Sequence, residues 1–312
     1  MRTALSAMAL GVSLACACQL ASSQTVTVTQ QGYGNTSGTE QVSAPGFDLA
    51  AIATITQIGT NNHVGGPGAS GSGILQSDNR YGATAVAEQY GSGNNASITQ
   101  DNTSGAFGPV EAVITQRGAL NDATVRQFLM TTGPATVEQN GIANVARVEQ
   151  LNSGDTGIRA TQNGNGNQLM IRQYDGNRYG PDVTQNGDGN SAWVVSESSL
   201  AAGPVIAQTG TQNSVLSFQI GAPDSSITVG QLGSINRAEV SQFGGANQAS
   251  LDQNGSNNFA SLIQSGNGWP GNNAQIAQLG NSNSAIVRQY GDGYAAKVNQ
   301  TGSGNWTSVH QH

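Results

Sequence analysis

Twelve successive copies of one unit along this chain each open with the residues Gln-x-Gly-x-x-Asn. Such self-similarity restricts the fold more than any other feature, because every copy must adopt the same local shape and stack on its neighbours. The copies open at Gln30, Gln57, Gln89, Gln116, Gln139, Gln162, Gln185, Gln208, Gln231, Gln253, Gln278 and Gln300, which define rungs 1 to 12. The third place is always glycine: Gly32, Gly59, Gly91, Gly118, Gly141, Gly164, Gly187, Gly210, Gly233, Gly255, Gly280 and Gly302. The sixth is always asparagine: Asn35, Asn62, Asn94, Asn121, Asn144, Asn167, Asn190, Asn213, Asn236, Asn258, Asn283 and Asn305. A second glutamine follows eleven residues after the first, as in Gln41, Gln150, Gln173, Gln242 and Gln311; Ser196 replaces it in rung 7, and rung 2 delays it to Gln76.

The residues around these glutamines alternate with period two, the signature of a strand. Two places before each of the 24 positions, counting Ser196, the residue is apolar in 22 cases; only Thr39 and Ser217 depart. One place before, it is usually Thr, Glu, Asp or Arg. Asn144, Ala146, Val148 and Gln150 therefore face inward, while Val145, Arg147 and Glu149 face out. In rung 8 the same phase turns Ser214, Leu216 and Phe218 outward and Ser217 inward.

Between the two strands of a copy, the Gly-x-x-Asn segment is too short for a crossover helix. It supplies a tight turn, glycine taking positive φ freely and asparagine tolerating left-handed geometry. A hairpin bonding within itself and an arch bonding to neighbouring copies both fit that turn, and the inward amides decide for the arch. A buried, unpaired amide costs a few kcal/mol, whereas identical amides stacked about 4.8 Å apart bond one another up a column. The predicted fold is all-β: a two-sheet β-solenoid of about twelve stacked strand–turn–strand rungs, ~57 Å long, with a narrow aliphatic core between amide ladders. Loops are expected at 41–52, 102–110 and 266–271, and Gly65 to Gly71 interrupt rung 2. Residues 24–110 thus form a looped part of the solenoid and 111–312 a regular one.

Composition agrees with a thin cross-section: aromatics are 5% and charged residues 9%, too few for a wide globular core. The first 23 residues read as an export signal, with Arg2, an apolar run at 4–17 and a small-residue cleavage site at Ala21-Ser22-Ser23. Both cysteines, Cys16 and Cys18, lie inside it; lipidation at Cys16 would want an aliphatic residue where Ser13 stands. No later segment is long and apolar enough to form a membrane-spanning helix. Without Arg2, ten basic residues face eighteen acidic ones, and Lys297 is the single lysine, which argues against nucleic acid as a partner.

Neither end of the array carries a capping element with a polar outer face. Its edges are expected to be open, with Gln30 and Gln41 at one end and Gln300 and Gln311 at the other. Such a head-to-tail contact does not close and propagates as a filament, making the chain its own partner.

Catalytic and cofactor chemistry finds little footing. His63, His310 and His312 are the only imidazoles, and the last two flank a strand end. Glu88, Glu138, Glu149 and Asp252 are scattered over outward places, where stacked acids would oppose premature assembly. Asp188-Gly189-Asn190 has the look of a calcium β-roll turn, but that pattern needs an aspartate in every turn. Gly164-Asn165-Gly166 lacks the strand–helix context of a phosphate loop. No catalytic, metal or cofactor residues are assigned.

The copies resemble the curlin repeat: Gln139-x-Gly141-x-x-Asn144-x-Ala146-x3-Gln150 keeps its Gln, Gly, Asn and Ala places. The resemblance spans nearly all of the chain after residue 23. It implies a curli-type amyloid subunit, exported through an outer-membrane secretion channel, nucleated at the cell surface by a minor curlin, and serving adhesion and biofilm matrix. The closing stretch, 304–312, looks like the end of a major subunit. The alternatives are a minor, nucleating curlin, a soluble ligand- or ice-binding solenoid, which would need an outward threonine array more regular than Thr29, Thr56, Thr115, Thr161 and Thr184, or a disordered low-complexity segment.

Overall fold

A computed structural model describes residues 24–42, 51–65, 73–77, 82–101, 110–176, 178–199, 203–266 and 268–312. The expected signal segment, most of the loops at 41–52 and 102–110, and most of the rung 2 interruption lie outside these residues.

Among the described residues the chain is all β, with 26 strands in two parallel sheets. The first sheet holds twelve strands in sequence order, from Thr25–Tyr33 in rung 1 to Ala295–Ser303 in rung 12. The second holds fourteen, because rung 1 contributes Thr36–Ser37 and Thr39–Val42, and rung 2 contributes His63–Val64 and Ile74–Ser77. The two strands of a copy lie in different sheets, so each copy is an arch and its backbone bonds run to the rungs above and below. Register follows the motif: Gln139 pairs with Gln162, Gly141 with Gly164, and Gln150 with Gln173.

The turn differs from expectation in one respect. The glycine has positive φ, as at Gly141 (130°), but the second left-handed residue is the one before the asparagine, not the asparagine itself. Ala143 (57°), Leu120 (58°) and even β-branched Ile235 (58°) occupy that place, each at a strain of about 1 kcal/mol or more. The asparagine is held extended because its amide is needed inside.

The core is one narrow column. Ala146 and Val148 from the second sheet and Ala135 and Val137 from the first are fully buried, and the same pattern repeats from rung to rung. Isoleucine supplies much of the bulk, at Ile55, Ile98, Ile114, Ile171 and Ile276. Only the end rungs open toward solvent, with Val28 and Val309 partly buried.

Rung 8 is as inverted as its sequence. Ser217 is fully buried, and its hydroxyl has no partner. Leu216 and Phe218 point outward, where the Phe218 ring packs 6.4 Å from that of Trp193. The neighbours of Ser217 in the column are Val194 and Val240. Replacing an orphaned hydroxyl by the residue of its neighbours removes a desolvation cost and adds apolar burial. Ser217→Val is therefore expected to stabilise the protein by about 1 kcal/mol, read as a higher denaturant midpoint. A lower midpoint would mean that the hydroxyl is bonded after all.

Candidate assembly site

The parallel stack brings three amides of every rung into columns. Along the first glutamine column, Nε2 of each residue donates to Oε1 of the next, as from Gln116 to Gln139 (2.8 Å), Gln139 to Gln162 (2.8 Å) and Gln162 to Gln185 (2.9 Å). The run is unbroken from Gln30 to Gln300. The other Nε2 hydrogen goes to a backbone carbonyl across the arch, as from Gln139 to Asp122 O (3.1 Å). Since only the NH2 end of an amide can donate there, this second bond fixes which way each column points.

The asparagine column points the opposite way. Nδ2 of each asparagine donates to Oδ1 of the preceding rung, as from Asn144 to Asn121 and from Asn167 to Asn144 (both 3.1 Å). The backbone N–H of Asn144 donates to the same Asn121 oxygen (3.1 Å), and Asn144 Nδ2 also reaches forward to Gly164 O (2.8 Å). The motif asparagines from Asn62 to Asn283 and the first-column glutamines from Gln57 to Gln278 are all buried with their bonding satisfied.

The second glutamine column runs forward like the first, from Gln41 through Gln76, Gln100 and Gln127 to Gln150, and again from Gln242 through Gln264 and Gln289 to Gln311. Between these stretches stands Ser196, and the contacts on either side, Gln150 to Gln173 and Gln219 to Gln242, lengthen to 3.5 Å.

Beside the amides runs a column of bare backbone. A Cβ on any motif glycine from Gly32 to Gly280 would stand 1.9 to 2.1 Å from the carbonyl oxygen of the next one. No side chain fits there. The glycine thus meets two demands, positive φ and closest approach of one rung to the next.

A further set of buried polar residues was not singled out from the sequence. In the arcs linking one rung to the next, Ser225, Asn247 and Asn272 are fully buried and stack: Asn247 N donates to Ser225 Oγ (2.9 Å), Asn272 N to Asn247 Oδ1 (3.0 Å), and Tyr294 N to Asn272 Oδ1 (3.0 Å). The signal was present in rung 9, where Gln242-Phe243-Gly244-Gly245-Ala246-Asn247 repeats the motif in the second half of the copy. Elsewhere the spacing from the second glutamine varies, which hid it.

The outward acids do not form columns. Glu149 lies in register between Arg126 and Arg172, and its carboxylate is 3.0 Å from the Arg172 guanidinium; Glu138 pairs with Arg117 at 3.2 Å. The expectation that stacked acids oppose assembly is therefore not met: Glu149 stands between arginines, and Glu88, Glu138 and Asp252 have uncharged residues above and below them. Asp188 accepts from Asn165 N (2.8 Å) and Nδ2 (3.0 Å), so it ties rung 6 to rung 7. His63 bonds Thr36, and the His310 ring packs between Tyr290 and His312. Of the loops, 266–271 is described apart from one residue; Asp292 anchors it by accepting from Gly268 N (2.8 Å). No described helix is long and apolar enough to cross a membrane.

At the ends the columns stop with opposite groups displayed. In rung 1, Gln30 and Gln41 donate forward, and no described rung precedes them to donate to their carbonyl oxygens. In rung 12, Gln300 and Gln311 receive from the rung before and turn Nε2 to Ser284 O, Thr307 and Ala295 O. The asparagine column ends the other way round: Asn305 donates back to Asn283, so its own Oδ1 is the open acceptor.

Residues 233–266 and 270–302 match the family model of the curlin associated repeat. No curated protein matches the chain with significance.

Proposed function

We propose that this chain, two stretches of which match the curlin associated repeat, is a structural subunit of an extracellular curli-type fibre, acting by self-assembly and not by catalysis. Export would use residues 1–23 as a cleaved signal and an outer-membrane channel. A minor curlin would nucleate growth, and the fibre would serve cell adhesion and biofilm matrix.

The fit between the two end rungs carries this reading. Thr25–Tyr33 and Ala295–Ser303 are both nine residues long, and each has its Gln at the sixth place and its Gly at the eighth. Seating rung 1 of one copy on rung 12 of another therefore continues the register without a step. Gln300 and Gln311 would donate to Gln30 and Gln41, and Asn35 to Asn305, restoring the bonding of the interior. Two like ends would instead oppose carbonyl to carbonyl. Joining is directional and does not close on itself, so it builds a filament.

Purified chain from residue 24 onward is expected to pass from a disordered monomer to β-rich fibres after a lag, and preformed fibres should remove the lag. A protein that stays folded and monomeric at high concentration would instead be a soluble binding solenoid. Gln30→Ala and Gln311→Ala are each expected to slow elongation about fivefold, the value of one bond of about 1 kcal/mol. Glu149→Ala, on the outer face, should leave the rate within about twofold. Equal rates for all three would remove the role assigned to the end rungs.

A further inference from the structure

The break in the second glutamine column holds a set of polar atoms that the fold itself does not satisfy. Gln173, Ser196 and Gln219 are successive members of that column, each in register with the next. All three are buried. Gln173 Nε2, Ser196 Oγ and Gln219 Oε1 have no protein partner.

The orphaned groups are complementary. In an intact column a carboxamide between Gln173 and Gln219 would accept from the first and donate to the second. Ser196 ends at its hydroxyl and lacks that carboxamide. What remains is a donor facing forward, an acceptor facing back, and a hydroxyl that can do either. The outer contacts of both glutamines are the long ones, 3.5 Å against 2.8 to 3.0 Å in the intact stretches from Gln100 to Gln150 and from Gln242 to Gln311. The column is slack on both sides of the serine.

Few ligands answer such a demand. An anion would suit the Gln173 NH2 but meet the Gln219 carbonyl, a cation would do the reverse, and either would lose its hydration among aliphatic side chains. An apolar group would satisfy neither. A small neutral molecule that accepts and donates at once is required, and three polar partners is the usual number for a buried water. We infer that the solenoid core binds water at Ser196, where it takes the place of the missing carboxamide and bridges Gln173, Ser196 and Gln219.

The test uses the whole chain in whichever state it adopts, fibre or monomer, so its outcome is independent of the fibre reading. Gln173 and Gln219 stand two rungs apart, roughly 9.6 Å, so two waters are needed to link them. A density map fine enough to show ordered water should contain two peaks, one within hydrogen-bonding reach of Gln173 Nε2 and one of Gln219 Oε1, with Ser196 Oγ in reach of them. Ser196→Gln should remove both peaks. The introduced carboxamide should also slow hydrogen exchange at the Gln173 side-chain NH2 on the order of tenfold, leaving Gln116 in the intact column unchanged. If Ser196→Gln does not fold, Ser196→Ala decides, because it should keep the peaks with one protein partner fewer. A dry gap in the parent map or unchanged exchange in a folded Ser196→Gln protein would each overturn the inference.

Discussion

Gly141→Ala is expected to abolish the seating of rung 5 on rung 6, at a cost above about 4 kcal/mol. The added Cβ would stand 1.9 Å from the carbonyl oxygen of Gly164, and that atom belongs to backbone of the first sheet that also accepts from Asn144 Nδ2. No rotamer change relieves such a clash; the rungs must separate. Gly166→Ala is the matching control. It too has positive φ (63°), but nothing lies within 4 Å of its added Cβ. It should lose only the left-handed strain, about 1 kcal/mol. Denaturant midpoints of the two variants measure the difference. Equal losses would show that backbone conformation alone, and not the closeness of the rungs, selects glycine.

Gln139→Leu is expected to cost about 3 kcal/mol. Leucine is of similar bulk and apolar, so the core stays filled, but three groups lose a bond. The carbonyl oxygen of Gln162 loses its donor, that of Asp122 loses one donor, and Gln116 Nε2 loses one of its two acceptors. Asn140→Ala removes an amide of the same chemistry from the next residue. Asn140 bonds Asn163 at 2.9 Å, but on the half-exposed outer face, where water replaces the bond. Its loss should stay within about 0.5 kcal/mol. Comparable values for the two would mean that burial does not set the worth of these ladders.

Much of this was legible in the sequence for a single reason: a strict period leaves few ways to stack. Alternation around Gln139 and Gln150 put Val137 and Val148 inside and Glu138 and Glu149 outside, and the burial follows that order. The inverted phase of rung 8 was readable too, because Gln219 keeps its place and drags Ser217 inward with it. Less was legible wherever the period loosens. Asn247 and Asn272 stand at different distances from their glutamines, so their ladder in the outer arcs shows only in three dimensions. The left-handed place fell one residue early, on Ala143 and not on Asn144, because a ladder amide is worth more than a relaxed turn. The acids were misjudged from composition, since which charge neighbours which depends on the column and not on the count.

In both sheets the backbone bonds lie along the long axis. When the rod is pulled end to end, every bond across a given junction is loaded at once, and the junctions themselves are loaded in series. Tensile strength is then set by the poorest junction and not by the number of rungs. That junction lies around Ser196, where a glutamine is missing from the column and the flanking contacts are slack. A longer array of the same kind would stretch further before failing, yet it would part at the same force.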